Sequence, residues 1–312
     1  MQDLGLILLG LALLWGGTEL VIDGAVRIAR HFGMSEMLIG LTILAIGSDL
    51  PETVVALHGA FLQLSGVETS ALIVGNAIGS AFANIGLVLG ISGLVAYLTL
   101  SERFIFVHGG MLLLSVIILF FAGQDGVVSR IEGSVLATAF VIYMVMAFQT
   151  RHDHAEKVIQ EKGNIYYFWS SLVAGLIVVY VGSELTIVSA SALAERFGVS
   201  QSLIGIAIVG VGTSLPELSI SVAAALRKQG GLSVGNIIGS NIYNALVPIG
   251  AAAVIVPVNF DRSLLWFDLP VLLGLSVLTL YFFRRKRGLQ KGEAMALVLA
   301  YLAYLMSKVV QV

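Results

Sequence analysis

The sequence predicts an all-α polytopic membrane protein of ten transmembrane helices, arranged as two inverted five-helix repeats with broken helices at the midplane. Of the 312 residues, 58% are hydrophobic and only 12% are charged, with a mean hydropathy of +0.97. A soluble domain carries about 25% charged residues. Two further observations support this fold class: ten apolar segments, and a duplicated motif that pairs a carboxylate with a proline.

Each predicted span contains about 20 predominantly apolar residues, which is the length needed to cross a bilayer. The spans are 4–30, 36–63, 70–98, 104–122, 131–150, 166–194, 201–226, 233–257, 264–283 and 292–310. One sizeable polar stretch divides them five and five. We therefore predict a first five-helix repeat at 1–150, a cytoplasmic linker at 151–165 and a second repeat at 166–312.

Two pairs of motifs show that the halves are duplicated. Residues 39–52 match residues 204–217 at an offset of 165, and residues 75–84 match residues 235–244 at an offset of 160. The full motif regions are 39–59 and 75–84 in the first half, and 204–224 and 235–244 in the second. Because five spans is an odd number, the second half must enter the membrane from the opposite side. Inverted repeats of this kind are typical of transporters, whose substrate site lies near the midplane.

Loop charges predict the orientation of the chain. With the N-terminus outside, 13 of the 17 Lys and Arg residues fall inside. The four that fall outside are Arg130, Arg196, Arg262 and Lys308. The positive-inside rule therefore favours a multi-pass protein of the cell membrane with both termini extracellular.

The motif carboxylates Glu52 and Glu217 follow Pro51 and Pro216 in the middle of predicted spans. An ionised carboxylate at this depth costs roughly 3 kcal/mol, so two at matching positions indicate a function, and bound cations are the simplest one. Proline removes a backbone donor and breaks the helix. A plain helix kink is the alternative interpretation, but it does not explain why the motif is duplicated.

Broken helices supply further ligands for a cation. Carbonyls freed around 45–48 and 210–213 point inward, and hydroxyl and amide side chains come from the 75–84 and 235–244 helices. An all-oxygen set favours Na⁺, Ca²⁺ or Mg²⁺ over transition metals. The glycines of the G-N-x-x-G motifs are more simply explained by close helix packing.

The paired motifs resemble the α-repeats of the Na⁺/Ca²⁺ exchanger branch of the cation/Ca²⁺ antiporters, of the prokaryotic type. Those repeats carry a G-(S/T)-S-x-P-(E/D) block followed by G-N-x-x-G-S-N, and the resemblance covers essentially the whole chain. It implies that Glu52 and Glu217 hold Ca²⁺ and share Na⁺. The other implied ligands are Ser48, Thr213, Ser214, Ser80, Ser240, Asn84, Asn244 and the carbonyls of Ala45 and Gly210.

Two positions depart from the family pattern. Asp49 stands where the family usually has serine, which adds a third acid that either holds Na⁺ or carries a proton. Asn244 stands where K⁺-dependent exchangers have aspartate, which argues against K⁺ cotransport.

The resemblance implies a secondary antiporter that exchanges Ca²⁺ for Na⁺ by alternating access, and no enzyme. Ca²⁺/H⁺ exchange on the same scaffold is the main alternative, and Asp49 favours it. An intramembrane aspartyl protease and a cation channel fit the duplicated motifs less well. We expect no cofactor, no nucleic-acid partner and no obligatory protein partner beside the ions and the bilayer. The chain has no cysteine, so thiolate chemistry is excluded.

Overall fold

The computed structural model describes residues 2–149, 163–197, 212 and 214–311. Almost all of these residues are helical. In chain order the helices are α1 (Gln2–Phe32), α2 (Glu36–Ser48), α3 (Leu50–Leu64), α4 (Ser70–Val95), α5 (Glu102–Ala122), α6 (Arg130–Gln149), α7 (Ile165–Arg196), α8 (Leu215–Leu226), α9 (Gly230–Ile255), α10 (Leu264–Lys286) and α11 (Lys291–Gln311). Two short strands, β1 (Val127–Val128) and β2 (Val258–Asn259), pair antiparallel.

The helices confirm a multi-span membrane protein. In the described ranges seven helices are long and apolar enough to cross a membrane, and the bent pair α2 and α3 makes an eighth span. Helix α11 coincides with the tenth predicted span, and α8 with the end of the seventh, whose beginning at 201–211 lies outside the described residues. Large apolar side chains are exposed on the outer helices, for example Trp15, Phe106 and Trp266, as contact with lipid requires.

The predicted helix break is present in the first motif. Helices α2 and α3 meet at Asp49 with a bend of 40°, and the Asp49 backbone has φ −89° and ψ 5°. Pro51 lies in the first turn of α3, where its missing N–H is tolerated. In the second motif Ser214 repeats this backbone conformation, with φ −93° and ψ 9°, and Pro216 lies in the first turn of α8.

Helices α1 and α7 run antiparallel in close contact, because glycines line the surface between them. A Cβ atom on Gly10 would lie 2.9 Å from the Gly182 carbonyl oxygen, and one on Gly17 would lie 3.0 Å from the Gly175 carbonyl oxygen. These contacts are reciprocal, since Gly10 is equivalent to Gly175 and Gly17 to Gly182 at the offset of 165. Reciprocal contacts of this kind are those of two inverted repeats related by a pseudo-two-fold axis.

Helix α9 forms the centre of the bundle. In the described chain it contacts α2, α3, α4, α6 and α8. Of its apolar membrane-spanning stretch, 83% is buried inside the protein. Gly235 and Gly239 allow α2 to approach, because a Cβ atom at either position would overlap the backbone of Met37 or Leu41. The close-packing role predicted for the motif glycines is confirmed for these two, whereas a Cβ atom on Gly75 or Gly79 would meet no atom of the described residues within 4 Å. Polar side chains on α9 are thereby held in the interior of the protein.

Candidate functional site

Three carboxylates converge in the interior where α2, α3 and α8 meet. One oxygen from each of Asp49, Glu52 and Glu217 lies within 4.8 Å of the others. The three residues are exposed by only 0%, 3% and 1% respectively. Three ionised acids at this separation repel one another and are costly to bury, so the cluster needs either positive charge nearby or bound protons.

Two helix N-termini supply part of that positive charge. Glu52 is the third residue of α3 and Glu217 the third residue of α8, so each carboxylate lies in the first turn of its helix. The unsatisfied N–H groups and the aligned dipole make a helix N-terminus favourable for anions. The sequence builds this arrangement twice, because each glutamate follows a proline in the first turn of its helix.

Side chains from α4 and α9 complete the surroundings of the cluster. Asn244 Nδ2 donates to Asp49 Oδ1 at 2.8 Å, and Ser80 Oγ donates to Glu52 Oε1 at 3.3 Å. Ser240 lies next to the Asp49 carboxylate, and Ser48 lies next to the Glu217 carboxylate. The structure therefore brings together most of the residues predicted from the sequence.

Several oxygens around the cluster have no hydrogen-bond partner among the described residues. They include both oxygens of Glu217, Oε2 of Glu52 and Oδ2 of Asp49. Ser240 Oγ and Asn244 Oδ1 are also unpartnered, as are Ser214 Oγ immediately before α8 and Asn84 Oδ1 one turn after Ser80 on α4. Buried polar atoms nearly always have a hydrogen-bond partner. This many unpartnered oxygens close together therefore indicate ligands for a cation.

The backbone ligands predicted at the two breaks have different outcomes. The Ala45 carbonyl is not freed by the break, because it accepts the Asp49 N–H at 3.1 Å and lies 3.4 Å from Ser48 Oγ. It thus accepts hydrogen bonds from both Asp49 and Ser48 in this structure, and its role as an ion ligand stays a prediction. The residue that loses its helical donor is Gly47, since Pro51 has no N–H. Gly210 and Thr213 lie outside the described residues.

Thr53 and Tyr243 form a contact that was not predicted from the sequence. Their hydroxyls lie 2.8 Å apart and join α3 to α9 next to Glu52 and Asn244. The repeat did not reveal this pair, because Thr53 is equivalent to Leu218 in the second repeat and Tyr243 to Ala83 in the first. Glu19 also lies away from the cluster, where it pairs with Arg227 immediately after α8.

An inverted repeat of membrane helices around a buried cluster of oxygen ligands defines a transporter of small cations. The sequence profile of the sodium/calcium exchanger protein family matches residues 3–149 and 167–310. The chain therefore belongs to that family.

Full-length relatives and a solved structure agree with this assignment. The chain is 35% identical to the uncharacterized membrane protein MJ0091 of Methanocaldococcus jannaschii over 302 residues, which covers 96% of this chain and 95% of the relative. It is 26% identical to the sodium/calcium exchanger MaX1 of Methanosarcina acetivorans over 343 residues, covering 96% of each. A structure of the sodium-calcium exchanger NCX_Mj, soaked with Na⁺ and Ca²⁺, matches with a TM-score of 0.84 and 33% identity over 98% of both chains. The chain is thus an ion antiporter of a transporter family.

Proposed function

We propose that this protein exchanges Ca²⁺ for Na⁺ across the cell membrane by alternating access around the Asp49, Glu52 and Glu217 cluster. The observation that carries the proposal is the convergence of these three buried carboxylates within 4.8 Å. Their ionised form bears three negative charges, which one Ca²⁺ or several Na⁺ ions offset. The same oxygens serve both ions in turn, as antiport requires.

The ligand chemistry supports Ca²⁺ as one of the two ions. Ca²⁺ takes six to eight oxygen ligands, with carboxylates mixed among carbonyls, amides and hydroxyls. Glu52 and Glu217 supply charged oxygens from two helices that begin at the site, while Ser80, Ser240 and Asn84 supply neutral ones. Na⁺ accepts the same hard ligands with less charge. Two relatives that carry sodium and calcium in their names, MaX1 and NCX_Mj, support the same pair of ions.

The architecture supports alternating access. In inverted-repeat transporters one half rocks against the other around a fixed midplane site. The glycine contacts bring α1 of the first half and α7 of the second half close together. We place both termini outside the cell and the 151–165 linker inside, on the loop charges. The transported ions are the ligands, and the proposal needs neither a cofactor nor a protein partner.

Ca²⁺/H⁺ exchange is the second candidate, and Asp49 favours it. This third acid lies in direct hydrogen-bond contact with Asn244 and adds a carboxylate that is able to carry a proton. Both candidates use the same cluster, so they differ only in the driving ion.

The test is uptake of radiolabelled Ca²⁺ into proteoliposomes that contain the purified protein. We expect uptake when an outward Na⁺ gradient is imposed, and none when only a pH gradient is imposed at clamped voltage. Uptake driven by the pH gradient alone would favour the second candidate. No uptake under either gradient would overturn both.

A further inference from the structure

A row of buried polar side chains runs along one face of α9 and extends beyond the carboxylate cluster. Its members are Ser233, Asn236, Ser240 and Asn244, spaced by three, four and four residues, so they share one side of the helix. All four are fully buried, with 0% exposure. Ser240 and Asn244 belong to the candidate ion site, but Ser233 and Asn236 have no role in it.

The row continues onto the neighbouring helix. Ser221 lies one turn after Glu217 on α8, and it accepts a hydrogen bond of 3.1 Å from Asn236 Nδ2. Ser221 is also fully buried. An adjacent face of α9 carries Gly235, which is packed against α2. The polar surfaces of α8 and α9 therefore face each other directly below the cluster.

This row has more acceptors than a packing contact needs. Asn236 Oδ1 and Ser233 Oγ are buried without a hydrogen-bond partner among the described residues. Leaving a buried polar group unsatisfied costs about 1–3 kcal/mol. Polar groups inside membrane segments are rare and mark ion pathways. An amide and two hydroxyls in this position are therefore better explained by a transient ligand than by helix packing alone.

The row reaches from the middle of the membrane to one surface. Ser240 is ten residues from Gly230, where α9 begins, and ten residues of helix measure about 15 Å, half of the roughly 30 Å hydrocarbon core. Ser233 lies about 5 Å from the same end. Ser221, Asn236 and Ser233 thus occupy the space between the cluster and the α8–α9 turn.

We propose that Ser221, Ser233 and Asn236 form a neutral, all-oxygen stepping site for Na⁺ or Ca²⁺ on the route between the cluster and the membrane surface at the α8–α9 turn. The inference deepens the proposed function and rests on it. Oxygen ligands suit these hard cations. Without a carboxylate the site holds an ion weakly, so the ion is released again. The three side chains are fully buried in this structure, so the route opens in the other state of the carrier.

Cysteine accessibility tests the route directly, because the natural chain contains no cysteine. Ser233→Cys and Ser221→Cys are made singly, reconstituted in proteoliposomes and treated from one side with a membrane-impermeant cationic methanethiosulfonate. Lys228→Cys, at an exposed position in the α8–α9 turn, identifies the side on which that turn lies. We expect both serine variants to react from that side only, with rates that change severalfold between saturating Na⁺ and saturating Ca²⁺.

Two matched controls separate a route from general mobility. Ser115 on α5 and Ser276 on α10 are fully buried serines that donate to the Leu112 and Leu272 carbonyls of their own helices. Ser115→Cys and Ser276→Cys are expected to remain unlabelled from either side. The proposal is overturned if Ser233→Cys and Ser221→Cys react no faster than these controls in every cation condition. It is also overturned if they react from the opposite side only.

A transport measurement distinguishes an ion ligand from a structural contact. Asn236→Leu keeps a similar volume but removes the amide oxygen. We expect the exchange rate to fall at least tenfold while the equilibrium affinity of the purified protein for Ca²⁺ changes less than twofold. A parallel loss of rate and of Ca²⁺ binding would mean that Asn236 only supports the cluster, which contradicts the stepping site. Labelling of Ser233→Cys from the α8–α9 side in a protein without Na⁺-driven Ca²⁺ uptake would refute the exchange and leave the polar route standing.

Discussion

Asn244 Nδ2 donates a 2.8 Å hydrogen bond to Asp49 Oδ1 and so joins the break of the first motif to the end of the second. The bond is particular to one side of the repeat. The residues equivalent to this pair in the other motifs are Ser214 and Asn84, which are both neutral. The third carboxylate is therefore held by α9, and the ion site is charged asymmetrically although the helices around it are duplicated.

Asp49→Ser should make exchange less sensitive to acid. Protons and cations compete for the same oxygens, and repulsion among three buried carboxylates favours proton uptake when no cation is bound. Removing Asp49 leaves Glu52 and Glu217 with less repulsion, so inhibition should begin at a lower pH. The measurement is Na⁺-driven Ca²⁺ flux against pH for both proteins. The acids titrate as a coupled group, so the profile reports the cluster and no single residue.

Asp49→Asn serves as the control, because it keeps the size of the side chain and removes only the charge. It should shift the pH profile in the same direction as Asp49→Ser. Profiles that superimpose on that of the natural protein would show that Asp49 does not affect cation binding.

Glu52→Gln and Glu217→Gln should each abolish Ca²⁺ exchange and leave the protein folded. Each variant removes one charge from the site, while an amide of the same shape costs less to bury than a carboxylate. Transport and thermal unfolding of the purified variants are measured together. Exchange at the natural rate by either variant would refute the assignment of the site.

Exchange should be insensitive to K⁺ at clamped voltage. The Asn244 side chain is neutral and already donates to Asp49, so it adds no charge to attract a further monovalent ion. Ca²⁺ flux is measured with and without K⁺ while the membrane potential is held constant. Saturable stimulation by K⁺ would contradict this view of Asn244.

Gly17→Ala should destabilise the protein, whereas Gly16→Ala should not. A Cβ atom on Gly17 would lie 2.8 Å from the Val179 backbone nitrogen and 3.0 Å from the Gly175 carbonyl oxygen. Overpacking of this kind costs about 1–3 kcal/mol. Gly16 is exposed, so alanine there gains helix propensity of up to about 1 kcal/mol. Thermal unfolding in detergent separates the two variants, and equal transition temperatures would show that α1 and α7 tolerate a wider spacing.

Lys308→Met should be strongly destabilising. Lys308 Nζ lies 2.7 Å from the carboxylate of Asp268, which is fully buried at the start of α10. Removing one partner of a buried ion pair costs about 3–5 kcal/mol, because the other charge stays buried alone. The double variant Asp268→Asn with Lys308→Met should recover part of the loss, as thermal unfolding will show. A double variant less stable than Lys308→Met would mean that the pair is not coupled.

Much of the fold follows from local features of the sequence. Runs of about 20 apolar residues are long enough to be recognised one at a time, so the positions of the spans are predictable. Pro51 and Pro216 mark the two broken helices because proline acts on its own turn. The repeat offsets then bring Glu52 and Glu217 to the same depth, which is why both carboxylates were predicted at the site. The bounds of the two repeats and the cytoplasmic position of the linker stay predictions.

By itself the sequence determined which residues carry oxygen ligands, where the helices break and that the two halves are inverted, because each of these depends on neighbouring residues or on a repeated pattern. Only the tertiary structure decided which ligands meet. Three contacts join separate helices and are set by the tertiary structure. They are the bond between Asn244 and Asp49, the contact between Thr53 and Tyr243, and the polar row of Ser233 and Asn236 facing Ser221. Their geometry depends on how closely α9 packs against its neighbours, and packing between helices is a property of the whole bundle.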